Sequence, residues 1–595
     1  MKKALASILA ALALGSTATA VAPPVLPFDQ VRPGMKGIGK TVFSGTEVRE
    51  FEVEILGTLP NVGPGRNLIL GRCSGGPLAT TGVLAGMSGS PVFVDGKLAG
   101  AVAFSWGFSK EAIAGITPIE EMLSAAARLD APAARSTGGK GGPSGSIDRL
   151  RFPESLESAF PEALLAFLPP PSEPAPISVP VSLSGIGAEG FRKIEPWLSR
   201  AGFLPMQGSG AGAAPSPSPD LVPGSAIGLK LARGDIDITA TGTVTWVDGD
   251  RVLAFGHPLY GLGPVDFPLT GARSEALIPS LQQSARIAVP LSEIGAFRQD
   301  LSSGIFGRLG ATPRMIPVRV QLLSREGTSE SFAFDVASDP LLAPLLLYAG
   351  LNGILASRER TLGDVTIRVR QGSVVRLENS DDIALDNLWV GPEAPFYATG
   401  IPAYVLHLLL NNEWSPPAVS GVNLILEYDA EPRSGRIRRV TLDRYHARPG
   451  DTVEATIVVA PYRGADRVVR REIAIPPETP PGRLLFFVGD AGSLNRVGDE
   501  GEDLVPRDLD QLVRRINTLR RNDRIHVLGV REDAGILMGG ERFPSLPPSA
   551  LSLLTRPRSQ GNVAVAQRRA ILESEIPVEF AVSGFARVPV EVEGR

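Results

Sequence analysis

Apolar and polar residues alternate with period two over much of this chain, the pattern of strands with one buried face. Val48 to Leu56 (VREFEVEIL) shows it most plainly. Asn67 to Leu70 and Pro91 to Val94 read as further strands, Gly96-Lys97 as a tight turn, and Leu98 to Phe104 as the returning strand. The period changes to helical at Ile119 to Ala127, which closes a first β segment spanning residues 28 to 128. A second β segment covers 222 to 325. Its core is the strand Ile236 to Val247, followed by a turn at Asp248-Gly249-Asp250 and a return at Arg251 to Phe255. Between the two lie linkers and a small α/β insertion, 129 to 221. Within that stretch, 133 to 147 and 207 to 220 carry so few apolar anchors that they read as flexible connections.

The pattern weakens beyond 325. Residues 326 to 430 read as mixed β with a helix near 341 to 356, and 431 to 490 as an immunoglobulin-like β-sandwich. Residues 491 to 595 read as an α/β region. Its amphipathic helix, 506 to 521, gathers Leu509, Leu512, Ile516 and Leu519 on one face.

With 595 residues the chain exceeds what one core organises, so three or more domains are expected. A net charge of -4 gives no electrostatic reason to expect a nucleic-acid partner. Lys2 and Lys3, the apolar run Ala4 to Leu14 and the small-residue site Ala18-Thr19-Ala20 form a signal peptide over residues 1 to 20. Export to the periplasm, cell envelope or extracellular space is the expectation that follows. No later segment has the length and continuity to span a membrane; Leu341 to Leu355 is short and broken by Pro344, Gly350 and Gly353. The single cysteine, Cys73, excludes an intrachain disulfide. His257, His407, His446 and His526 are scattered without metal-ligand spacing, so no metal or other cofactor is expected. Oligomeric state is not legible in these patterns.

Two short motifs carry candidate chemistry. Gly86-Met87-Ser88-Gly89-Ser90-Pro91 leads into a strand, a turn and a second strand. Small residues around Ser88 let the backbone turn tightly and let the amides of Gly86 and Ser88 converge where an oxyanion could sit. A tight turn that merely uses serine and glycine has the same composition. Gly256-His257-Pro258 ends the strand RVLAF. A serine nucleophile needs a base, and His257 is the one histidine in either β segment. A histidine capping a strand end is the structural alternative.

Taken together, these segments resemble the SpoIVB-type serine peptidases. GMSGSPVFVDGKLAGAVA is similar to that family's Ser motif and TGTVTWVDGDRVLAFGHPL to its His motif. Ser303-Gly304-Ile305-Phe306-Gly307 is similar to a third family segment, and PGMKGIGKTVFSGTEVREFEVEIL to the strands before the Ser motif. The resemblance implies a mainly β fold: a chymotrypsin-like double β-barrel peptidase module, followed here by C-terminal β-rich domains including the sandwich. It implies an endopeptidase acting on a peptide or protein substrate, with Ser88 as nucleophile and His257 as base.

The chain departs from the family in three ways. The Ser half precedes the His half, as a circular permutation would arrange them. Cys73 stands where the family has its acidic residue. No PDZ module is evident. The acid could be supplied by Asp300, with Asp266 and Asp248 as further candidates, or a Ser–His dyad could act alone. Two functions are therefore expected from the sequence: an exported serine endopeptidase or, because the acid is displaced, an inactive peptidase-like binding or scaffold protein.

Overall fold

The computed structural model describes residues 24–127, 176–499 and 506–594, apart from short interruptions, the longest at 550–562. The expected signal peptide and the expected 133–147 linker lie outside the described residues.

Six strands follow from the first alternating block: β1 (Lys36–Val42), β2 (Val48–Gly63), β3 (Arg66–Ser74), β4 (Pro91–Val94), β5 (Lys97–Ser105) and β6 (Ile113–Pro118). They close into an antiparallel barrel in the order β1-β2-β3-β6-β5-β4. The alternation does the work expected of it. In β2, Phe51, Val53 and Ile55 point into the core, while Glu50, Glu52 and Glu54 face solvent. Asp95 and Gly96 both take positive φ (51° and 74°) between β4 and β5, the mirror-image turn that a twisted hairpin requires. Helix α1 (Ile119–Ala126) follows β6 and buries Ile119, Met122 and Ala126.

The chain reappears as β7 (Val179–Ser184), helix α2 (Ala188–Arg200) and β8 (Phe203–Gln207). The second block then forms β9 (Ala226–Gly234), β10 (Asp237–Asp248), β11 (Arg251–Ala254), β12 (Gly263–Ile278), β13 (Ala285–Leu301) and β14 (Gly304–Leu309). Because β9 pairs with both β10 and β12, these strands also close a six-membered antiparallel ring, β9-β12-β13-β14-β11-β10. Unlike the first barrel, this ring is continuous with a larger sheet. β7 pairs with β10, while β15 (Met315–Ser324) and β16 (Ser329–Ala337) extend it on the β9 side. The strand Val419–Asp429 then runs parallel to β15. Residues 326–430 thus share a hydrophobic core with the second barrel, including the buried helices Leu342–Ala356 and Ala394–Leu410.

The barrels meet through their own apolar contact. Leu98, Ala101, Ile119, Met122 and Ala126 pack against Trp246, Leu253 and Phe306. Backbone bridges tie Gly45 to Ser274 and Ala85 to Ala285, so the long β12–β13 pair reaches across to the first barrel.

Two boundaries differ from the sequence expectation. Residues 216–218, in the expected 207–220 linker, are tied down: Ser292 N–H donates to Ser216 O (2.8 Å) and Ser218 Oγ to Ser292 O (2.7 Å). Backbone and hydroxyl groups hold this stretch where apolar anchors are lacking. The C-terminal sandwich also continues past 490. One sheet holds Ser434–Leu442, Thr452–Pro461, Arg467–Ala474 and the late strand Ala581–Ser583. The other holds His446–Ala447, Gly482–Gly489, Arg524–Arg531, Arg569–Pro577 and Phe585–Val592. Their shared core draws on both ends of this region: Ile457 and Val459 belong to it together with Val588 and Val590.

Candidate functional site

The Ser88 loop leaves the first barrel between a short helical turn, Leu78–Thr81, and β4. Two glycines shape it. Gly86 and Gly89 adopt φ of 98° and 95°, which side chains rarely tolerate. A Cβ on Gly89 would lie 2.0 Å from Thr243 O and 2.5 Å from Phe255 N, so only glycine lets the loop press against the second barrel. Met87 N–H donates to Leu84 O and Gly89 N–H to Val102 O. The alternate amides differ: neither Gly86 N–H nor Ser88 N–H has a hydrogen-bond acceptor among the described residues. Two unsatisfied donors in the loop that carries the serine suit a developing oxyanion.

The loop is held from the second barrel. Thr243 N–H donates to Ser88 O (2.8 Å), Thr243 Oγ1 to Gly86 O (2.9 Å) and Thr245 Oγ1 to Gly89 O (2.7 Å). These threonines are the two in the G-T-x-T strand of the His motif, on β10. The first barrel returns the support: Thr117 Oγ1 donates to Gly256 O (2.6 Å), immediately before His257. Gly256 also packs against Ala101 and Ala103 of β5.

His257 is buried, and its Nδ1 lies 2.8 Å from Pro258 O. A carbonyl only accepts, so the neutral ring carries its proton on Nδ1 and presents Nε2 as an acceptor. That tautomer is the one a general base needs. Burial pushes the imidazole down to about 4, against the opposing effect of the Pro258 hydrogen bond. Ser88 Oγ and His257 Nε2 are both buried without a hydrogen-bond partner among the described residues. The fold therefore brings the two motifs together, but the two side chains are not bonded to each other in this conformation.

Asp300 takes a different position from the one expected of a triad acid. Its carboxylate accepts four backbone N–H bonds, from Leu259, Tyr260, Gly261 and Leu262, at 2.7 to 3.1 Å. Its oxygens are committed to the loop after His257, while the imidazole Nδ1 faces Pro258 O. Asp300 thus fixes the loop that carries the histidine rather than bonding the ring. Burial pushes its carboxyl up, opposed by those four donors. Asp266 is engaged by Arg298 (2.6 Å) and Arg314 N–H, and Asp248 by Arg251. Cys73 is a core residue of the first barrel, its thiol pushed up to about 12 by burial.

Arg286 escapes the sequence reading. This buried β13 residue donates to Val42 O (2.8 Å), Gly86 O (2.6 Å) and Gly242 O (2.8 Å). One guanidinium thereby joins β1, the Ser88 loop and β10. Burial lowers it to about 10. The one signal in the sequence is a lone arginine in the apolar run ARIAVPL.

Residues 15–123 match the family model described as SpoIVB peptidase S55. The matched stretch contains the first barrel and Ser88 but ends before His257. No curated protein and no solved structure matches the chain.

Proposed function

From a first barrel of the SpoIVB peptidase family, we propose that this chain is an exported serine endopeptidase with Ser88 as nucleophile and His257 as base. The observation that carries the reading is the pairing of a histidine fixed with Nε2 as acceptor and a serine loop with two free amides. In the reaction, Ser88 Oγ attacks the substrate carbonyl carbon while its proton passes to His257 Nε2. The carbonyl electron pair becomes an oxyanion held by Gly86 and Ser88 N–H. Collapse breaks the C–N bond, and the imidazolium returns its proton to the departing amine. Water, activated by the same Nε2, then hydrolyses the acyl-enzyme.

No carboxylate among the described residues bonds His257, so Pro258 O sets the tautomer without offering a charge to the imidazolium. A slower catalyst than a full triad is the expected consequence. The burial of both side chains favours the second reading, an inactive binding protein. Fluorophosphonate labelling separates the two. The endopeptidase reading expects one label on Ser88, lost in Ser88→Ala and strongly slowed in His257→Ala. Absence of labelling at any concentration supports the scaffold.

A further inference from the structure

Ser88 and His257 are almost wholly excluded from solvent (0% and 1% exposed), so a substrate must displace something to reach them. The edge of β5 identifies what. β4 pairs with β5 only as far as Ala101. Beyond it, Val102 exchanges hydrogen bonds with Gly89 and Ser90 of the nucleophile loop. The β5–β6 ladder shifts register between Val102 and Phe104, and Ala103 O accepts the N–H of Ile177 at 3.0 Å. Phe104 and Pro176 form an antiparallel bridge.

Residues 176–178 precede β7 and lie outside its ladders, which begin at Val179 with β8 and at Val181 with β10. From the β5 edge the chain runs to Pro180, whose Cγ lies 3.3 Å from where a Cβ on Gly86 would be. This path passes the Ser88 loop. Ile177 is 1% exposed and belongs to the apolar core of the first barrel. Gly86 and Ser88 N–H nevertheless have no acceptor among the described residues, so no carbonyl of residues 176–178 fills the oxyanion position.

We infer that the β5 edge at Ala103–Phe104 is a binding site for an extended peptide carrying an aliphatic side chain, and that residues 176–178 occupy it in place of that peptide. The inference rests on the endopeptidase reading for its catalytic consequence, but not for the binding itself. Main-chain pairing at the edge supplies affinity, and the pocket around Ile177 supplies the selectivity. An intramolecular occupant competes at high effective concentration, so weakening it raises access.

The test uses the full mature chain. Ile177→Asp, with Ile177→Gly as a second variant, should react with fluorophosphonate at least tenfold faster than wild type; loss of folding cannot produce a faster reaction. A fluorescent peptide of residues 173–180 should bind Ile177→Asp/Ser88→Ala by anisotropy, and the same peptide with aspartate for isoleucine should not. Peptide binding without labelling keeps this site and removes the serine reading. Labelling of wild type that neither variant accelerates, or absence of binding by the peptide to the folded variant, overturns the inference.

Discussion

In the first barrel the candidate nucleophile sits on glycines, Gly86 and Gly89, whereas in the second the approach to His257 places a phenylalanine, Phe255, at φ 67°. Backbone of that kind in a non-glycine residue costs roughly 1–3 kcal/mol and persists only where the surroundings impose it. Phe255 is fully buried, against Phe297 and the His257 ring. The first barrel closes as a sheet of its own, while the second is continuous with a larger sheet and core. The serine side can therefore be shaped by local residue choice, and the histidine side by packing. Each side is completed by hydroxyls from the other, through Thr243 and Thr245 in one direction and Thr117 in the other.

Breaking the glycine side should have the largest effect. Gly89→Ala forces a Cβ onto two backbone atoms of the second barrel, and we expect a loss of about 3 kcal/mol or more with loss of activity. Gly45→Ala, with positive φ but open space around it, should cost about 1 kcal/mol. Urea unfolding compares them; equal effects would remove the close approach as the cause.

Acid should act next, and on the histidine side, because the first barrel contains no histidine. His257 and His407 are both lowered to about 4, chiefly by burial. Between pH 6.5 and 4 the unfolded chain binds protons that the folded chain refuses, so stability falls as pH falls through this window. The slope reaches at most roughly 1.4 kcal/mol per pH unit for each histidine. His257→Gln should flatten part of it in thermal scans.

Arg286→Met removes hydrogen bonds to three buried carbonyls, of which Gly86 O keeps the Thr243 hydroxyl, and should cost about 2–3 kcal/mol, with Arg286→Lys recovering part. The smallest effects belong to the exchanged hydroxyls: Thr245→Val and Thr117→Val should each cost about 1 kcal/mol. A large loss from only one of them would mean that the support is not mutual.

Much of this is legible in the chain alone. Alternation locates β2, β4 and β5, and the glycine-flanked serine points to the candidate nucleophile loop. His257 stands out because the two β segments hold no other histidine. What stays hidden depends on long-range contact. Arg286 bonds residues 44 to 244 positions away, and no local pattern encodes that. Asp300 looks like a triad acid because it is near the GIFG segment, yet its four backbone donors lie on a loop about 40 residues earlier. The sandwich extends beyond 490 for a similar reason: Ala581–Ser583 completes a sheet begun at Ser434.

The central claim is that Ser88 and His257 act as one unit across the two barrels. A double-mutant cycle on peptide turnover tests it most directly. The account predicts that Ser88→Ala and His257→Ala each lower turnover by about a thousandfold or more, and that the double variant is scarcely worse than either. Losses that multiply, or turnover that survives Ser88→Ala, would contradict it.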